Sequence, residues 1–593
     1  MEYWVTHCGC EGYIYLLVQR RILKLMFGIM IISLTASISV NIFETKSYED
    51  LIEHTTLNNK EMTFLRSWVH VGLVIFFSIL TIGQIVKIRQ DARKAYKFYY
   101  KQTSLIHDHE FLKSRTLHVK GLLPEDRRGD NLKNQMNQIL EKHGGKVVDC
   151  LVIPDFVTLF KYEQQKSELE DLRKLVYASG PGFQCNSCLI PAYAKKEEAY
   201  DRKMRKIERK IDKELEKAYW NSGHAFVCFD SLESMNAVLN YYRVSPLKYC
   251  ALSVRAIKTK FQQLFAPRRE RNVSTFDKFY DIDEAKLEDQ VFLLNIASEP
   301  IDIVWSNMGG NMGFFLFRRV VMNVVMIIIL LFFSTPATLL SAIERVDTIG
   351  VFTLDWMKDL PFGEFLKHQV PPILILTINL FLLFLIDLMA VYENHSANSD
   401  YQKSVYLKSV IYLCLNMLVI PAITLATSQS FIDILWQRSL DINKILGNFY
   451  IANSGVFFVS ILIQQACLSS AFYLNNGSEV LMSYFSPWLA VEKRKILNDS
   501  APWKRHLQQC FQYGYFYAQI MVAFSISIVF CNTVPLVTVA SCFFIFLRHF
   551  VDCFQLLTYF RKEIDSSGKI IESISNTMMF FVLVYQACMF AFF

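Results

Sequence analysis

The cysteines Cys185 and Cys188 have the C-x-x-C spacing, which can hold zinc or form a redox-active disulfide. A zinc site needs two further ligands, and neither a second cysteine pair at usable spacing nor a nearby histidine supplies them. The residues that follow, Leu189 to Tyr193, are apolar in an otherwise charged region. Unmodified cysteines, S-acylation of a loop at the membrane surface and metal binding are the alternatives, and we expect no bound metal.

Motifs for enzymatic chemistry are missing from the sequence. There is no glycine-rich phosphate loop, no H-E-x-x-H and no G-x-S-x-G, and the 12 histidines are scattered. We therefore expect neither catalytic residues nor a cofactor, and the chain is not predicted to be an enzyme.

Polar side chains inside long apolar stretches are more informative, because they are costly in hydrocarbon and tend to face a bundle interior or a water-filled path. Asn453, Ser460 and Gln464 recur at helical spacing and form a polar stripe. A hydrogen bond between helices, at about 1 kcal/mol, is the better explanation for any single residue, but the whole cluster favours a conduit. The candidate pore-lining residues are Asn323, Thr335, Asn379, Asp387, Asn416, Thr424, Asn453, Ser460, Gln464 and Gln519.

Two further features of these stretches bear on mechanism. Gly455 loosens the helix that carries the polar stripe, so we expect it to act as a gating hinge. Arg548, His549 and Asp552 lie at the inner end of a later apolar stretch, where snorkelling of their side chains to the aqueous interface explains them.

The elements that must position these residues are membrane-spanning helices. Of the 593 residues 52% are hydrophobic, and they are concentrated in blocks of about 20 residues, the length that crosses a bilayer as a helix. The sequence therefore predicts an integral, multi-pass membrane protein, in the plasma membrane or an endomembrane. Spans one to nine are expected at 22–42, 68–86, 320–343, 370–391, 405–426, 449–474, 513–533, 536–557 and 574–593.

The basic residues indicate the orientation, since about forty of the 62 lysines and arginines lie between Lys87 and Arg319. We expect a cytosolic N-terminal segment (1–21), two transmembrane helices (22–86), a cytosolic domain (87–319) and a seven-helix transmembrane channel region (320–593). The last apolar stretch runs to the end of the chain, which suggests a truncated gene model or a missing final span.

The cytosolic domain has the pattern of an α+β fold. Strands are expected at 117–122, 146–154, 225–229 and 252–257, with helices at 131–143 and 232–241. This order predicts a ferredoxin-like domain of the kind seen in RNA-recognition domains. A charged helix at 194–220 lies between its halves and should form a solvated arm or an antiparallel hairpin.

The strand from Gly223 to Phe229 resembles the aromatic strand on which RNA-recognition domains stack bases. A working site needs aromatic side chains on the open face of both central strands. The partner strand offers Leu117, Val119 and Gly121 and no aromatic residue, so we expect a structural domain without a nucleic-acid partner.

Several stretches together resemble one family of membrane proteins. They are YLLVQRR from Tyr15, SEPIDIVWSNMGG from Ser298, FSTPATLLSAI from Phe333, QYGYFYA from Gln512 and FLRHFVDCFQLL from Phe546. The chain resembles the calcium-permeable, stress-gated cation channels, which include the plant hyperosmolality-gated channels, and is most similar to the animal transmembrane protein sixty-three branch.

The resemblance implies a helical bundle similar to that of the calcium-activated chloride channels and lipid scramblases. It implies a mechanically or osmotically gated, calcium-permeable, non-selective cation channel with one pore per subunit, lined by spans three to seven. Membrane lipids, calcium and monovalent cations are the implied partners, and the chain is expected to be a monomer or a homodimer. The alternative function is a phospholipid scramblase that uses the same polar groove.

The chain departs from the family pattern in three ways. The family's first and last helices have no counterpart here. Tyr473 stands where members commonly carry a glutamate near the inner end of span six. Asp387, Glu393 and Glu479 are the carboxylates that could replace that charge.

Overall fold

The computed structural model of the chain describes much of a helix bundle and of a small sheet domain. The described residues are 2–42, 55, 64–104, 115–120, 130–141, 145–178, 190–216, 221–241, 293–300, 302–308, 318–329, 377–379, 381–383, 385–419, 454–475, 511–558, 566 and 568–592. Five helices among them are long and apolar enough to cross a membrane: His7–Asn41, Trp68–Tyr99, Tyr513–Phe530, Leu536–Thr558 and Lys569–Phe590. Shorter apolar helices cover Thr377–Tyr392 and Phe458–Leu474.

Within the described ranges, eleven helices make up the main part of the bundle and the helical part of the sheet domain. In chain order they are α1 (Glu2–Ile32), α2 (Phe64–Ser104), α3 (Asp130–Leu140), α4 (Val157–Ala178), α5 (Ile190–Leu215), α6 (Leu232–Tyr241), α7 (Asn398–Cys414), α8 (Ser454–Gln464), α9 (Tyr513–Phe530), α10 (Leu536–Thr558) and α11 (Lys569–Phe592). Residues 318–329 and 385–392 are also helical. Each of the nine predicted spans overlaps one of these helices or helical segments, so the chain is a multi-pass membrane protein.

Three of the bundle helices contain a π-helical turn. These turns are Ser33–Ser37 after α1, Leu415–Val419 after α7 and Gln465–Ser469 after α8. A π-helical turn places one extra residue in the helix and changes the direction of the side chains that follow. Hydropathy does not reveal these turns, because it reports the length of an apolar block and not the pitch of the helix.

Helix α1 begins at Glu2, well before the predicted start of span one at 22. Its first half packs along α10 and α2. Ile14, Tyr15 and Val18 are fully buried there. The early start follows from this packing, because a helix face buried against other helices is favourable without a continuous apolar block.

Helix α9 lies at the centre of the bundle, where it packs against α7, α10 and α11. Nearly all of its side chains are buried. A Cβ atom at Gly514 would lie 2.3 Å from the carbonyl oxygen of Gln402 in α7. Only glycine therefore permits this close approach of the two backbones.

The described residues of the sheet domain form four antiparallel strands in the order β2-β3-β1-β4. The strands are β1 (Thr116–Lys120), β2 (Val147–Pro154), β3 (Asn221–Phe229) and β4 (Leu293–Ile296). Helices α3 and α6 lie on one face of this sheet and share its hydrophobic core. The strand predicted at 252–257 lies outside the described residues, and the described fourth strand comes about forty residues later.

The two faces of the sheet differ from the prediction. Leu117 and Val119 were expected on the open face, but both are fully buried in the core under the helices. The alternation of side chains along a strand places His118 on the other face, where it stacks on Phe226. That face is covered by Ile303 and Met308, which pack against Phe226.

Helices α4 and α5 form an antiparallel hairpin that carries much of the charge of the sheet domain. Thr158 near the start of α4 lies 3.3 Å from Glu214 near the end of α5. Further along, the Nζ atom of Lys166 lies 3.1 Å from a carboxylate oxygen of Glu208. These pairs are exposed, as expected for a solvated arm.

Candidate functional site

Seven of the ten predicted pore-lining residues are described, and Thr335, Thr424 and Asn453 lie outside the described residues. Cys185 and Cys188 lie outside them as well. Asn323 is exposed on the helical segment 318–329, and Ser460 and Gln464 are half-buried on α8. Gly455 falls in the first turn of α8.

Asn379, Tyr412 and Asn416 form a buried group that we call the neutral cluster. The hydroxyl of Tyr412 donates to Oδ1 of Asn379 at 3.2 Å, and the amide nitrogen of Asn416 also donates to Oδ1 of Asn379. The same Asn416 nitrogen donates to the Tyr412 hydroxyl at 3.2 Å. Asn416 belongs to the π-helical turn after α7, which aims its side chain back at Tyr412 four residues earlier. The structure thus joins two of the predicted residues, Asn379 of span four and Asn416 of span five.

Asp387 is half-buried on the helical segment 385–392 and accepts a hydrogen bond from the hydroxyl of Tyr401. No cation lies within ion-pair distance of it in the part of the chain that the structure describes. Asp387 therefore differs from Glu393 and Asp552, which each have a cationic partner.

Gln519 of α9 belongs to a separate group of polar side chains. Its amide nitrogen donates to the hydroxyl of Tyr515 at 2.9 Å, and that hydroxyl is hydrogen-bonded to the hydroxyl of Tyr473. Tyr473 is the residue that stands in place of the family's glutamate. Its ring contacts the guanidinium of Arg548, whose central carbon is 4.3 Å from the ring centroid.

Arg548 and Asp552 are wholly inaccessible to solvent, so the prediction that their side chains snorkel to the aqueous interface is wrong. They are one turn apart on α10, and Nε of Arg548 lies 2.8 Å from Oδ1 of Asp552. Helix α1 covers this pair, and its residues exclude water from a position that would otherwise be near the membrane surface. The sequence could not reveal this, because α1 and α10 are more than 500 residues apart in the chain.

Tyr15 and Gln19 of α1 complete what we call the charged cluster with Arg548 and Asp552. The Tyr15 hydroxyl and the Gln19 amide nitrogen each donate to Oδ2 of Asp552 at 2.6 Å. The guanidinium of Arg548 is held between the rings of Tyr473 and Phe516, at 4.3 and 4.2 Å from their centroids. A cation between two aromatic faces is stabilised by the ring quadrupoles, which partly replace the lost hydration.

Glu393 is the centre of a second set of ionic contacts, at the end of the bundle that carries the sheet domain. Its carboxylate is paired with the ammonium of Lys408, and it accepts hydrogen bonds from His395 at 2.9 Å and Ser404 at 3.0 Å. Burial alone would raise the pKa of Glu393, but the hydrogen bonds from His395 and Lys408 lower that pKa to about 2. Its charge is therefore balanced by its immediate neighbours.

The segment between β4 and the helical segment 318–329 joins the sheet domain to the bundle. Asp302 accepts hydrogen bonds from the backbone nitrogen of Ser399 at 2.9 Å and from its hydroxyl at 2.6 Å. These bonds satisfy a free N–H group in the first turn of α7. On the sheet side, the ammonium of Lys120 donates to the hydroxyl of Ser396 at 2.8 Å.

Two histidines lie buried at this junction. Nε2 of His118 is 3.0 Å from Nδ1 of His224. Burial, with the charge of Lys120 nearby, lowers the pKa of His118 to about 2 and that of His224 to about 3. Both imidazoles are therefore neutral at physiological pH.

Comparison with known proteins gives two kinds of match. Residues 318–593 match a protein family described as "Calcium-dependent channel, 7TM region, putative phosphate". The chain is 21% identical over 591 residues to the mechanosensitive cation channel TMEM63B of Gallus gallus, covering 94% of this chain and 65% of the relative. It is 21% identical over 570 residues to the mechanosensitive cation channel TMEM63A of Mus musculus, covering 92% and 64%.

A third relative, the osmosensitive cation channel TMEM63C of Danio rerio, is 20% identical over 581 residues, covering 93% of this chain and 63% of the relative. The chain is a relative of these cation channels. The resemblance inferred from the sequence motifs is thus confirmed. The chain spans slightly less than two thirds of the length of these relatives. The relatives are named as channels, which agrees with the prediction that the chain is not an enzyme.

Four of the five motifs that carry the resemblance lie at junctions between elements, and FSTPATLLSAI (333–343) lies outside the described residues. Tyr15 and Gln19, from the first motif, contact Asp552, from the last. Asp302, from the second, contacts the start of α7, and Gly514 of QYGYFYA donates its backbone N–H to Gln402 at 2.8 Å. Sequence reasoning missed the charged cluster, because the four-residue spacing from Tyr15 to Gln19 and from Arg548 to Asp552 places each pair on one helix face but does not show that the two faces meet.

Proposed function

We propose that the chain is a mechanically or osmotically gated cation channel that is permeable to calcium, with its pore lined by spans three to seven. The observation that carries this proposal is the neutral cluster, a buried set of amides and a hydroxyl between spans four and five. Such groups can exchange hydrogen bonds with water and so line a wetted path. The names of the relatives, which are mechanosensitive and osmosensitive cation channels, support the same function.

Cation preference in this proposal comes from Asp387. Glu393 is balanced by Lys408, and Tyr473 brings no charge where the family commonly has a glutamate. Asp387 has only a tyrosine hydroxyl as its partner among the described residues, so its field remains available to a cation. We expect Asp387→Asn to lower the permeability of calcium relative to sodium.

Gating in this proposal is a movement of span six about Gly455. Tension shifts a two-state equilibrium only when the open state occupies more membrane area or fits a thinner bilayer better. A span that bends near its start can separate from the neighbouring helices and wet the path. If Gly455→Ala leaves the tension threshold and the open probability unchanged, the hinge lies elsewhere.

In this proposal the sheet domain is cytosolic and has a ferredoxin-like fold. The strand order β2-β3-β1-β4, with a helix after β1 and a helix after β3, supports that fold. The contact of Asp302 with the start of α7 and that of Lys120 with Ser396 support a structural rather than a nucleic-acid-binding role. A monomer or a homodimer is compatible with this arrangement.

The test is tension-evoked current from the purified chain in liposome patches. We expect current in the wild-type protein and an altered single-channel conductance in Asn416→Leu, because the substitution removes a polar group from the proposed path. Bi-ionic reversal potentials of Asp387→Asn then measure calcium permeability.

The matched control is Gln586→Leu. Gln586 of α11 donates to the hydroxyl of Ser78 in α2 at 3.0 Å, so its substitution also removes a hydrogen bond between helices, but outside spans three to seven. We expect its conductance to equal that of the wild type. Silence up to membrane rupture, together with lipid transfer in a dithionite assay on the same liposomes, would instead support the scramblase alternative.

A further inference from the structure

A cavity of about 320 Å³ lies between α1 and α2, beside the end of α2 that leads to the sheet domain. Four cationic side chains and a single carboxylate line it, together with apolar and aromatic side chains. The charged residues are Arg20, Arg21, Lys24, Lys94 and Asp91. The proposed channel function makes no use of this cavity.

Most of the positive charge in the cavity is not neutralised. Arg21 is paired with Asp91. Nε of Arg20 donates to the neutral acceptor Nε2 of His549 at 3.2 Å, and its guanidinium lies 5.5 Å from the ring centroid of Trp4. Lys24 and Lys94 are exposed and have no ion pair in the described portion of the chain.

The predicted ends of spans one and two place the cavity at the depth of the lipid headgroups. Arg20, Arg21 and Lys24 bracket the predicted start of span one at 22, and Lys94 comes two turns after the predicted end of span two at 86. With a rise of about 1.5 Å per residue, these residues lie within roughly 12 Å of the predicted hydrocarbon boundary along the helix axes. Lipid phosphates occupy that layer.

An apolar surface continues from the cavity toward the membrane centre. Phe27 and Ile31 lie on the same face of α1 as Lys24, one and two turns further on. Their exposed fractions are 55% and 46%. A molecule with a phosphorylated head at Lys24 would therefore find an apolar path for its tail.

We propose that this cavity binds the phosphorylated headgroup of an anionic phospholipid, with its acyl chains along Phe27 and Ile31. Phosphate oxygens accept strong hydrogen bonds from arginine and lysine, and basic pockets between transmembrane helices are suited to such headgroups. The apolar path beside the cations favours a lipid over a soluble phosphate compound.

The site is joined to the interior of the bundle. Arg20 donates to His549, Nδ1 of His549 is 2.8 Å from Oε1 of Gln19, and Gln19 donates to Asp552 of the charged cluster. A headgroup bound to Arg20 is thus three hydrogen bonds away from the Arg548–Asp552 pair. The lipid is therefore bound where the contact between α1 and α10 is fixed.

The test is native mass spectrometry of the intact chain in detergent, titrated with a phosphatidylinositol bisphosphate and with phosphatidylcholine. We expect selective binding of the anionic lipid by the wild type. Lys24→Gln/Lys94→Gln should weaken it roughly 30-fold, because each lysine near a membrane contributes about a factor of five. Both side chains are exposed, so the variant should elute as the wild type does.

The matched control is Lys87→Gln/Lys97→Gln, which removes the same charge from exposed lysines of α2 outside the cavity. We expect it to bind as the wild type does. The proposal is overturned by an equal loss in the control, by equal binding of phosphatidylcholine, or by equally tight binding of a soluble inositol trisphosphate. None of these results depends on whether the chain conducts ions.

Discussion

The neutral cluster and the charged cluster are both buried in the helix bundle, but they hold their members in different ways. The neutral cluster consists of two amides and a hydroxyl, each of which can give up a partner and accept water instead. The charged cluster holds one carboxylate with two donors from α1, and one guanidinium between two rings. A buried charge that loses its partner has no comparable substitute.

This difference separates two tasks in the bundle. Groups that exchange partners cheaply suit a path that fills and empties with water. Groups that cannot do so fix one helix against another, as the charged cluster fixes α1 against α10. Of the residues suspected from the sequence, Asn379 and Asn416 belong to the first kind; of those explained as snorkelling, Arg548 and Asp552 belong to the second.

The largest effect is expected from Asp552→Leu. It leaves the guanidinium of Arg548 buried without its carboxylate, which should lower the free energy of unfolding by about 3–5 kcal/mol. The measurement is an SDS titration of the purified chain, followed by tryptophan fluorescence.

The double variant Arg548→Leu/Asp552→Leu is the control for this result. With both charges removed, no uncompensated ion remains, so much of the loss should be recovered. A double variant at least as unstable as Asp552→Leu would show that the pair itself, rather than an unpaired charge, determines the stability.

A fall in pH should destabilise a third buried site, the histidine pair of the sheet domain. The pKa values of His118 and His224 are lowered below the ordinary value of 6.5 when the sheet is folded against the bundle. Below pH 6.5 the unfolded state takes up protons that the folded state does not, so stability falls as the pH falls. At pH 5.5 the loss is about 1.4 kcal/mol for each histidine.

Hydrogen exchange of the β1 and β3 amides at pH 7.5 and 5.5, corrected for the intrinsic rates, measures this loss. His118→Leu/His224→Leu cannot titrate and should lose no protection between the two pH values. His7→Leu replaces an exposed histidine and should behave as the wild type does. Equal pH dependence in all three proteins would locate the titrating group elsewhere.

Local sequence patterns predicted the parts of the fold that depend on them. The positions of the spans, the first three strands and the charged helix α5 follow from hydrophobic blocks, alternation and charge within a few dozen residues. The fourth strand, Leu293–Ile296, could not be found in this way, since it has four residues and pairs with β1 from more than 170 positions away. The contact of Tyr15 with Asp552 also joins residues far apart in the sequence, so local patterns could not predict it. Without that contact, the burial of Arg548 could not be predicted either.

The neutral cluster should respond much less than the charged one to the loss of a member. Asn416→Leu removes one amide but leaves Asn379 bonded to Tyr412, so the free energy of unfolding should fall by only about 1 kcal/mol. The same SDS titration measures it beside Asp552→Leu. If Asn416→Leu lowered the free energy of unfolding as much as Asp552→Leu does, the two clusters would not differ in how they stabilise the bundle.

The smallest effect is expected where a charge pair is exposed. Lys166 and Glu208 hold α4 against α5 in water, where ordering two long side chains and screening by salt offset most of their attraction. Lys166→Ala breaks an ion pair of normal length. It should nevertheless leave the free energy of unfolding in the SDS titration unchanged at both low and high salt. Glu208→Ala is the matched variant from the other helix and should likewise cause no change. If both variants lost stability in a salt-dependent way, the hairpin would be ordered by its charges. Burial would then not explain which contacts stabilise the protein.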